Sequence, residues 1–232
     1  MIIISGNINV SLAQKKLTEY FGDTKKTKRV MDSWLNQKPK DGLESITKIS
    51  TNRLLSNQLS FAKFFRFDDL SDILGMQASF FIASDIYNSH LNDLLYFDGD
   101  IAQSFSQSSY IAINGDIEYT ASLIPFDNVS LENAYENLRM GIKNLDIDNI
   151  TQKEIEIARS KNVAYTKSLA QSPRAYLDFF QNLGSDGLPP VSPKEFSKMI
   201  ANAPDEDILK IISAFAADSP TAVILAKFDN KL

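Results

Sequence analysis

The stretch QSFSQSSYIAINGDIEYTASLIPF, residues 103–126, decides the fold of this chain. Polar and apolar side chains alternate along much of it, and Asn114-Gly115 stands near its middle. Asn-Gly between two alternating runs is the strongest short-range signal for a β-hairpin. We therefore predict two antiparallel strands, Gln103 to Ile113 and Glu118 to Phe126. The serines from 104 to 109 then form the polar face of the first strand.

Upstream of the hairpin, the sequence predicts two further strands and a long helix. The strands cover about Leu43 to Ile49 and Leu59 to Phe67, and period-two alternation places phenylalanines on one face of the second strand. Asp68-Asp69 is suited to cap a helix, and an apolar stripe extends that helix to about Leu95. Asp98-Gly99-Asp100 then ends the helix.

Downstream of the hairpin, apolar side chains recur at helical spacing and indicate a run of helices. We predict helices that start near residues 131, 151, 173, 193 and 205. Thr151 with Glu154, and Ser192 with Glu195, match the capping-box pattern at two of these starts. A last strand, Thr221 to Phe228, closes the unit. Strands grouped before helices predict an α+β fold, with an antiparallel-rich sheet and helices packed on one face.

The pattern divides the chain into three parts. Residues 1–22 read as a strand, Ile2 to Ile8, and a helix from about Ser11 to Tyr20, which are too few to close a core, so we predict the tail of a preceding subdomain. Residues 23–42 are polar and lysine-rich and predict a linker. Residues 43–232 are expected to form a complete α+β subdomain.

Composition narrows the function classes. Lysine plus arginine number 24 and aspartate plus glutamate 29, a net charge of −5. The basic cluster Lys25, Lys26, Lys28 and Arg29 lies in the predicted linker, so we expect no nucleic-acid partner. The absence of cysteine from the sequence excludes disulfides and thiolate zinc sites. The apolar run from Ile2 is too short for a signal sequence or a membrane segment, and periplasmic and cytoplasmic locations both stay open.

Few residues are candidates for chemistry. The single histidine is His90, and no acidic residue stands at the spacing that would form a metal-ligand set with it on one helix face. This excludes a catalytic triad or a multi-histidine zinc site within the chain, and we expect His90 to be a partly exposed residue at a helix end. Asp93, Asp98 and Asp100 are interpreted as turn residues, not as a cation or acid–base site. Glu154 complements a helix dipole.

Several short segments match one family in their order and spacing. They are IIISGNI at residues 2–8, Tyr20-Phe21-Gly22, Ile73-Leu74-Gly75, Ser89-His90-Leu91, and ITQKEI at residues 150–155. With the lysine-rich linker and the strand pair, they resemble the pitrilysin/insulinase family of zinc metallopeptidases. In that family the third, fourth and fifth segments correspond to a Leu-Gly stretch, a Ser-Arg-Leu segment and a threonine-started helix. The resemblance covers nearly the whole chain and implies the metallohydrolase-like α+β subdomain of these peptidases.

The departures from the family pattern bear on function. Active members hold zinc with an inverted H-x-x-E-H helix and a distant glutamate, and nothing here corresponds to them. Their non-catalytic half carries an arginine and a tyrosine that help to hold the substrate. In this sequence the arginine position falls near Leu95 and the tyrosine position near Ala102, so both residues are replaced. Without the guanidinium, no bidentate donor holds a substrate carboxylate from this side.

The resemblance therefore implies a non-catalytic, C-terminal domain of a zinc metallopeptidase. We expect no catalytic and no metal-binding residue in this chain, and we assign no substrate-binding residue. Zinc is expected only in a missing catalytic half, in the same or a partner chain. The domain would pack against that half and help to enclose a peptide, with the strand Gln103 to Ile113 adding main-chain hydrogen bonds to it.

Two other hypotheses stay open. In the first, the chain is a catalytically dead peptide-binding or scaffold domain of the same fold, which the replaced arginine and tyrosine favour. In the second, it is an enzyme of unrelated chemistry that uses Asp93, Asp98 and Asp100.

Overall fold

A computed structural model describes residues 8–23, 44–66, 72–111, 116–143, 145, 147–185, 187–217 and 221–229. In this part of the chain the five strands are β1 (Glu44–Thr51), β2 (Gln58–Arg66), β3 (Ala102–Ile111), β4 (Asp116–Pro125) and β5 (Thr221–Phe228). The α-helices are α1 (Val10–Phe21), α2 (Ile73–Asn92), α3 (Leu131–Lys143), α4 (Gln152–Leu169), α5 (Pro173–Ser185), α6 (Pro193–Ala201) and α7 (Asp205–Ala216).

The strands form one sheet in the order β1-β5-β2-β4-β3. Strand β5 is parallel to β1 and antiparallel to β2, and the remaining neighbours pair antiparallel. The predicted α+β class and the antiparallel pairing of β3 with β4 are confirmed. Ile111 pairs with Ile117 at the end of the hairpin, whereas the Asn114-Gly115 turn lies outside the described residues.

One face of the sheet is buried under the helices, and an aromatic cluster lies at the centre of this interface. The ring of Phe215 in α7 lies 5.1 Å from Phe65, 5.8 Å from Phe80, 4.8 Å from Tyr87 and 5.6 Å from Tyr119, measured between centroids. Edge-to-face and offset stacking at these distances add to the hydrophobic gain from burial. The cluster fixes α2 and α7 onto β2 and β4.

Local capping decides where two helices begin. At α4, Thr151 accepts from the backbone N–H of Glu154, and Glu154 accepts in return from the backbone of Thr151. Ser192 and Glu195 form the same reciprocal pair at α6. Both predicted capping boxes are therefore confirmed. Each of them satisfies two backbone donors that the first turn of a helix leaves free.

The start of α2 differs from the prediction. The helix begins at Ile73, and its N-cap is Asp72, whose Oδ1 accepts from the Gly75 N–H at 2.9 Å. The expected cap at Asp68-Asp69 was therefore wrong, and those two residues lie outside the described ranges. A Cβ at Gly75 would stand 2.2 Å from Asp72 Oδ2, so the glycine makes room for the capping carboxylate. At its other end α2 continues as a π-helical segment, Asp93–Asp98.

Helix α1 confirms the helix predicted near residues 11–20, and none of its residues is buried. Val10, Leu12, Tyr20 and Phe21 are all more than half exposed. The strand predicted at 2–8, except Ile8, and the linker predicted at 23–42, except Asp23, lie outside the described residues. The division of the chain at residues 22 and 42 therefore stays a prediction.

Arg159 links α4 to the start of α7. Its Nη2 donates to the Ala203 carbonyl at 2.8 Å and to Asp205 Oδ1, while Gln152 Nε2 donates to Asp205 Oδ2 at 3.0 Å. These side-chain hydrogen bonds, first that of Arg159 and then that of Gln152, hold the pKa of the Asp205 carboxyl below its usual value. The ionised carboxylate is therefore the form that the fold stabilises.

This contact predicts a pH-dependent contribution to stability. Since the folded pKa of Asp205 is lowered, its contribution should be complete above the unfolded pKa of about 4 and disappear as the pH falls through the folded pKa. Asp205→Asn should cost roughly 0.5–1 kcal/mol at pH 7, because the group is part-exposed, and the penalty should shrink in acid. Urea unfolding at pH 7, 5 and 3 measures both effects. Glu206→Gln, an exposed acid of the same turn, is the control. An equal penalty for Asp205→Asn at all pH values would contradict the assignment.

Candidate functional site

The centre of the sheet face that points away from the helices is covered by short, uncharged side chains, whereas Arg66 and Glu118 lie on the same face near the ends of β2 and β4. We call this face the outer face. Successive side chains of a strand point to opposite faces of the sheet. The residues that alternate with the buried core residues therefore lie on the outer face. A shallow depression of about 280 Å³ lies on it. The outward side chains that line the depression are Ser60, Ala62, Ser106, Ser108, Thr120, Ser122, Ala222 and Ile224.

Hydroxyl groups on the outer face bond to one another and to the backbone. Ser60 Oγ and Ser122 Oγ are 2.9 Å apart, and Gln58 Nε2 donates to Ser122 Oγ at 3.4 Å. Thr120 Oγ1 donates to the Ser108 carbonyl at 3.3 Å. These bonds join β2, β3 and β4 across the depression. The depression is thus lined by hydroxyl and small apolar groups, and none of its lining residues is a base that could activate a hydroxyl as a nucleophile.

Strand β3 stands at the end of the sheet, and β4 is the only strand that pairs with it among the described residues. An edge strand presents backbone N–H and C=O groups that can pair with an added chain. The predicted strand Gln103 to Ile113 therefore occupies a position that suits the addition of an extended peptide. That it binds a peptide stays a prediction.

A groove of about 480 Å³ lies between β3 and the helices α2, α4, α5 and α6. We call it the β3 groove. It is lined by Gln77, Phe81, Ser108, Ser109, Tyr165, Leu169, Ala175, Asp178, Phe179, Asn182, Leu183, Ser185 and Phe196. Sequence reasoning missed Gln77. The only signal for it was a single amide in ILGMQASFFIA, residues 73–83, an otherwise apolar stretch of helix.

His90 has a structural contact that the sequence did not predict. Its Nε2 lies 3.0 Å from Oε1 of Glu154, while Oε2 of the same carboxylate closes the capping box with Thr151. Hydrogen bonds from the Thr151 backbone and side chain, together with the nearby His90, hold the pKa of Glu154 below its usual value. Because 64 residues separate the pair, helical spacing could not show it. His90 thus joins the end of α2 to the start of α4.

The aspartates near Gly99 do not form a site in the described part of the chain. Asp93 and Asp100 are exposed, and the side chain of Asp98 lies outside the described residues. Asp100 has a φ of 45°, the left-handed conformation that aspartate tolerates in turns. This geometry fits the interpretation as a turn residue for Asp100. Asp93 and Asp98 were not turn residues as expected, because they lie in the π-helical segment that continues α2.

The described residues do not fit a zinc site. Zinc takes three or four ligands from histidine, cysteine, aspartate and glutamate. Within the described ranges no group of three or more such residues could hold a metal ion, and the single histidine contacts Glu154. The family resemblance places the arginine near Leu95 and the tyrosine near Ala102, and both Leu95 and Ala102 are 0% exposed. These two positions are therefore part of the core.

Solved structures share this architecture at low sequence identity. The first half of the periplasmic protease PqqL from Escherichia coli aligns with 96% of this chain over 50% of its own length, at a TM-score of 0.70 and 11% identity. A protease from Helicobacter pylori aligns with 96% over 53%, at 0.69 and 12%. A predicted insulinase-family protease from Yersinia pestis aligns with 98% over 51%, at 0.63 and 10%. The chain has the insulinase-like protease fold.

This chain spans about half the length of each of these structures and 26% of the length of complete PqqL. Since one of them is the first half of a protease, the fold does not assign this chain to a C-terminal position, which stays a prediction. No protein-family model and no curated protein sequence matches the chain. None of the helices in the described ranges has both the length and the apolar character needed to cross a bilayer.

Proposed function

We propose that this chain is the non-catalytic part of a zinc metallopeptidase, which helps to enclose a peptide substrate and packs against a zinc-bearing half. The observation that carries the proposal is the insulinase-like fold in a sequence with a single histidine and no cysteine. A zinc peptidase site needs at least three protein ligands. The metal and the base that activates its water would therefore come from the other half.

The outer face supports a role as a wall beside the substrate. Its central depression is lined by hydroxyl, methyl and other uncharged groups. Such a surface does not hold acidic or basic peptides by ion pairing, so it can face substrates of many sequences. The adjoining β3 edge supplies backbone groups that recognise any extended peptide by main-chain hydrogen bonds.

Helix α1 supports packing against another unit. Val10, Leu12, Tyr20 and Phe21 are 63%, 57%, 69% and 54% exposed, although all four are large apolar or aromatic side chains. Covering them would remove apolar surface from water, at about 25 cal/mol per Å². We assign this contact to the zinc-bearing half, in the same or a partner chain.

A complementation assay tests the proposal. Unstructured fluorogenic peptides are incubated with zinc and with this chain, with the zinc-bearing half, or with both. We expect cleavage only when both are present, because one supplies the metal and the other completes the enclosure. The matched control replaces the glutamate of H-x-x-E-H in the zinc-bearing half and should abolish cleavage. Metal-dependent cleavage by this chain alone would overturn the proposal.

A scaffold or peptide-binding domain without chemistry is the second candidate. The replacement of the substrate-holding arginine and tyrosine favours it, and Leu95 and Ala102, near which these two residues would fall, are buried in the core. The same assay separates the two candidates. Binding of peptides without cleavage in the mixture supports the scaffold, whereas cleavage in the mixture supports the peptidase half.

A further inference from the structure

A buried amide in the β3 groove has no partner. Gln77 is 5% exposed, and its Oε1 makes no hydrogen bond within the described part of the chain. Buried polar atoms in folded proteins are nearly always paired, and an exception calls for an explanation such as a bound group. Gln77 lines a groove of about 480 Å³, so a ligand that enters the groove can supply the missing partner.

The wall of the groove is aromatic. The ring of Phe196 lies 5.5 Å from Phe81 and 5.7 Å from Phe179, between centroids, and the first of these contacts is edge-to-face. Phe196 and Phe179 are buried and support the wall, whereas Phe81 and Tyr165 line the groove and keep part of their surface exposed, so a further ring can pack against them. The groove therefore combines aromatic rings with one buried acceptor that has no partner, and its lining also includes the polar side chains of Asn182 and the exposed Asp178.

The groove reaches β3, because it is lined by Ser109, whose hydroxyl lies on the helix side of the sheet and donates to Ser84 Oγ at 3.3 Å. A peptide strand added to β3 would point every second side chain to the helix side of the sheet, where the groove lies. One such side chain can enter the groove while the peptide backbone stays paired with β3.

We propose that the β3 groove binds a tyrosine side chain of the peptide that pairs with β3. The inference rests on the proposed peptide binding and adds a preference to it. A phenol ring matches the aromatic wall, and its hydroxyl can both donate and accept, so it satisfies the amide of Gln77. Phenylalanine fills the same space and leaves Oε1 unpaired. The groove thus selects for the hydroxyl as well as for the ring.

The test uses three labelled, unstructured peptides that differ only in one central residue, which is tyrosine, phenylalanine or alanine. Fluorescence anisotropy with the full chain measures each dissociation constant. We expect tyrosine to bind about 2- to 13-fold more tightly than phenylalanine, the range that corresponds to the net contribution of one hydrogen bond. Phenylalanine should bind more tightly than alanine.

Gln77→Leu is the decisive variant. It keeps the approximate volume and removes the amide, so tyrosine and phenylalanine should bind equally. Gln171→Leu removes an exposed amide that does not line the β3 groove, and it should leave the preference unchanged. Circular dichroism and urea unfolding check that both variants fold.

The outcomes separate the two proposals. Equal binding of the tyrosine and phenylalanine peptides by the unmodified chain, or a preference that persists in Gln77→Leu, overturns the inference and leaves peptide binding intact. If no peptide binds, the proposed substrate enclosure fails, and the tyrosine site fails with it.

Discussion

Phe215→Ala is expected to lower the free energy of unfolding by about 3–5 kcal/mol. Phe215 is 0% exposed, and its ring contacts Phe65, Phe80, Tyr87 and Tyr119. These rings come from two strands and from helix α2, so no single neighbour can move to fill the space. The variant loses the transfer free energy of a phenyl group and leaves a cavity where α7 meets the sheet.

Urea unfolding followed by circular dichroism measures this effect. Phe97→Ala is the matched control, because the Phe97 side chain is 79% exposed and should cost within about 0.5 kcal/mol. A loss of less than about 1 kcal/mol in Phe215→Ala would mean that the cluster is not the centre of the core.

Lys63→Met is expected to lower the free energy of unfolding by about 2–4 kcal/mol. Lys63 lies in β2 and is 4% exposed, and its ammonium group donates to the carbonyls of Phe215 and Ala217. These carbonyls belong to the C-terminal end of α7, where a cation is also favoured by the helix dipole. Methionine keeps the length of the side chain but leaves both acceptors without this donor.

The control for Lys63 is Lys48→Met on strand β1. Lys48 pairs with Glu132 at 2.8 Å, and its side chain is 65% exposed, so its loss should cost at most about 1 kcal/mol. Thermal and urea unfolding of the two variants compare a buried donor with a surface ion pair. Equal effects would show that the contacts of Lys63 with α7 contribute no more than a surface charge.

Much of the fold follows from local sequence. The strand Thr221–Phe228 has the predicted bounds, and the helix starts after Thr151 and Ser192 match because each capping box is complete within four residues. The β3–β4 pairing follows from alternation on both sides of a short turn. These features depend on residues close together in the chain, which a single sequence displays directly.

The order of the strands could not be predicted in this way. Strand β5 pairs with β1 from Glu44 to Thr51, and it pairs with β2 on its other side. Which distant strands become neighbours depends on how the whole core packs, and alternation in each strand is compatible with several orders. The position of Asp72 as N-cap was missed for a smaller reason, since Asp68, Asp69 and Asp72 are all acceptable caps and only the packing of α2 selects one.

The candidate site was predicted only in part. The strand Gln103 to Ile113 was expected to face a peptide, and β3 lies at the sheet edge, but the groove beside it needs side chains from β3 and four helices. Gln77 and Phe196 are far apart in sequence and meet only when α2 packs against α6. The His90–Glu154 contact has the same origin. The candidate site is formed by contacts between elements that are distant in sequence, and a short sequence motif cannot predict such contacts.

The central place of β5 has a consequence for how the protein is made. Strands β1 and β2 leave the ribosome well before β5, yet β5 lies between them. At translation rates of about 5–20 residues per second, β1 waits on the order of 10–30 s for its neighbour. During this time both flanking strands present open edges, which invite pairing with other chains. The sheet is therefore completed only after β5 has been synthesised, and a nascent chain that stalls before Thr221 has a gap in the middle of its sheet.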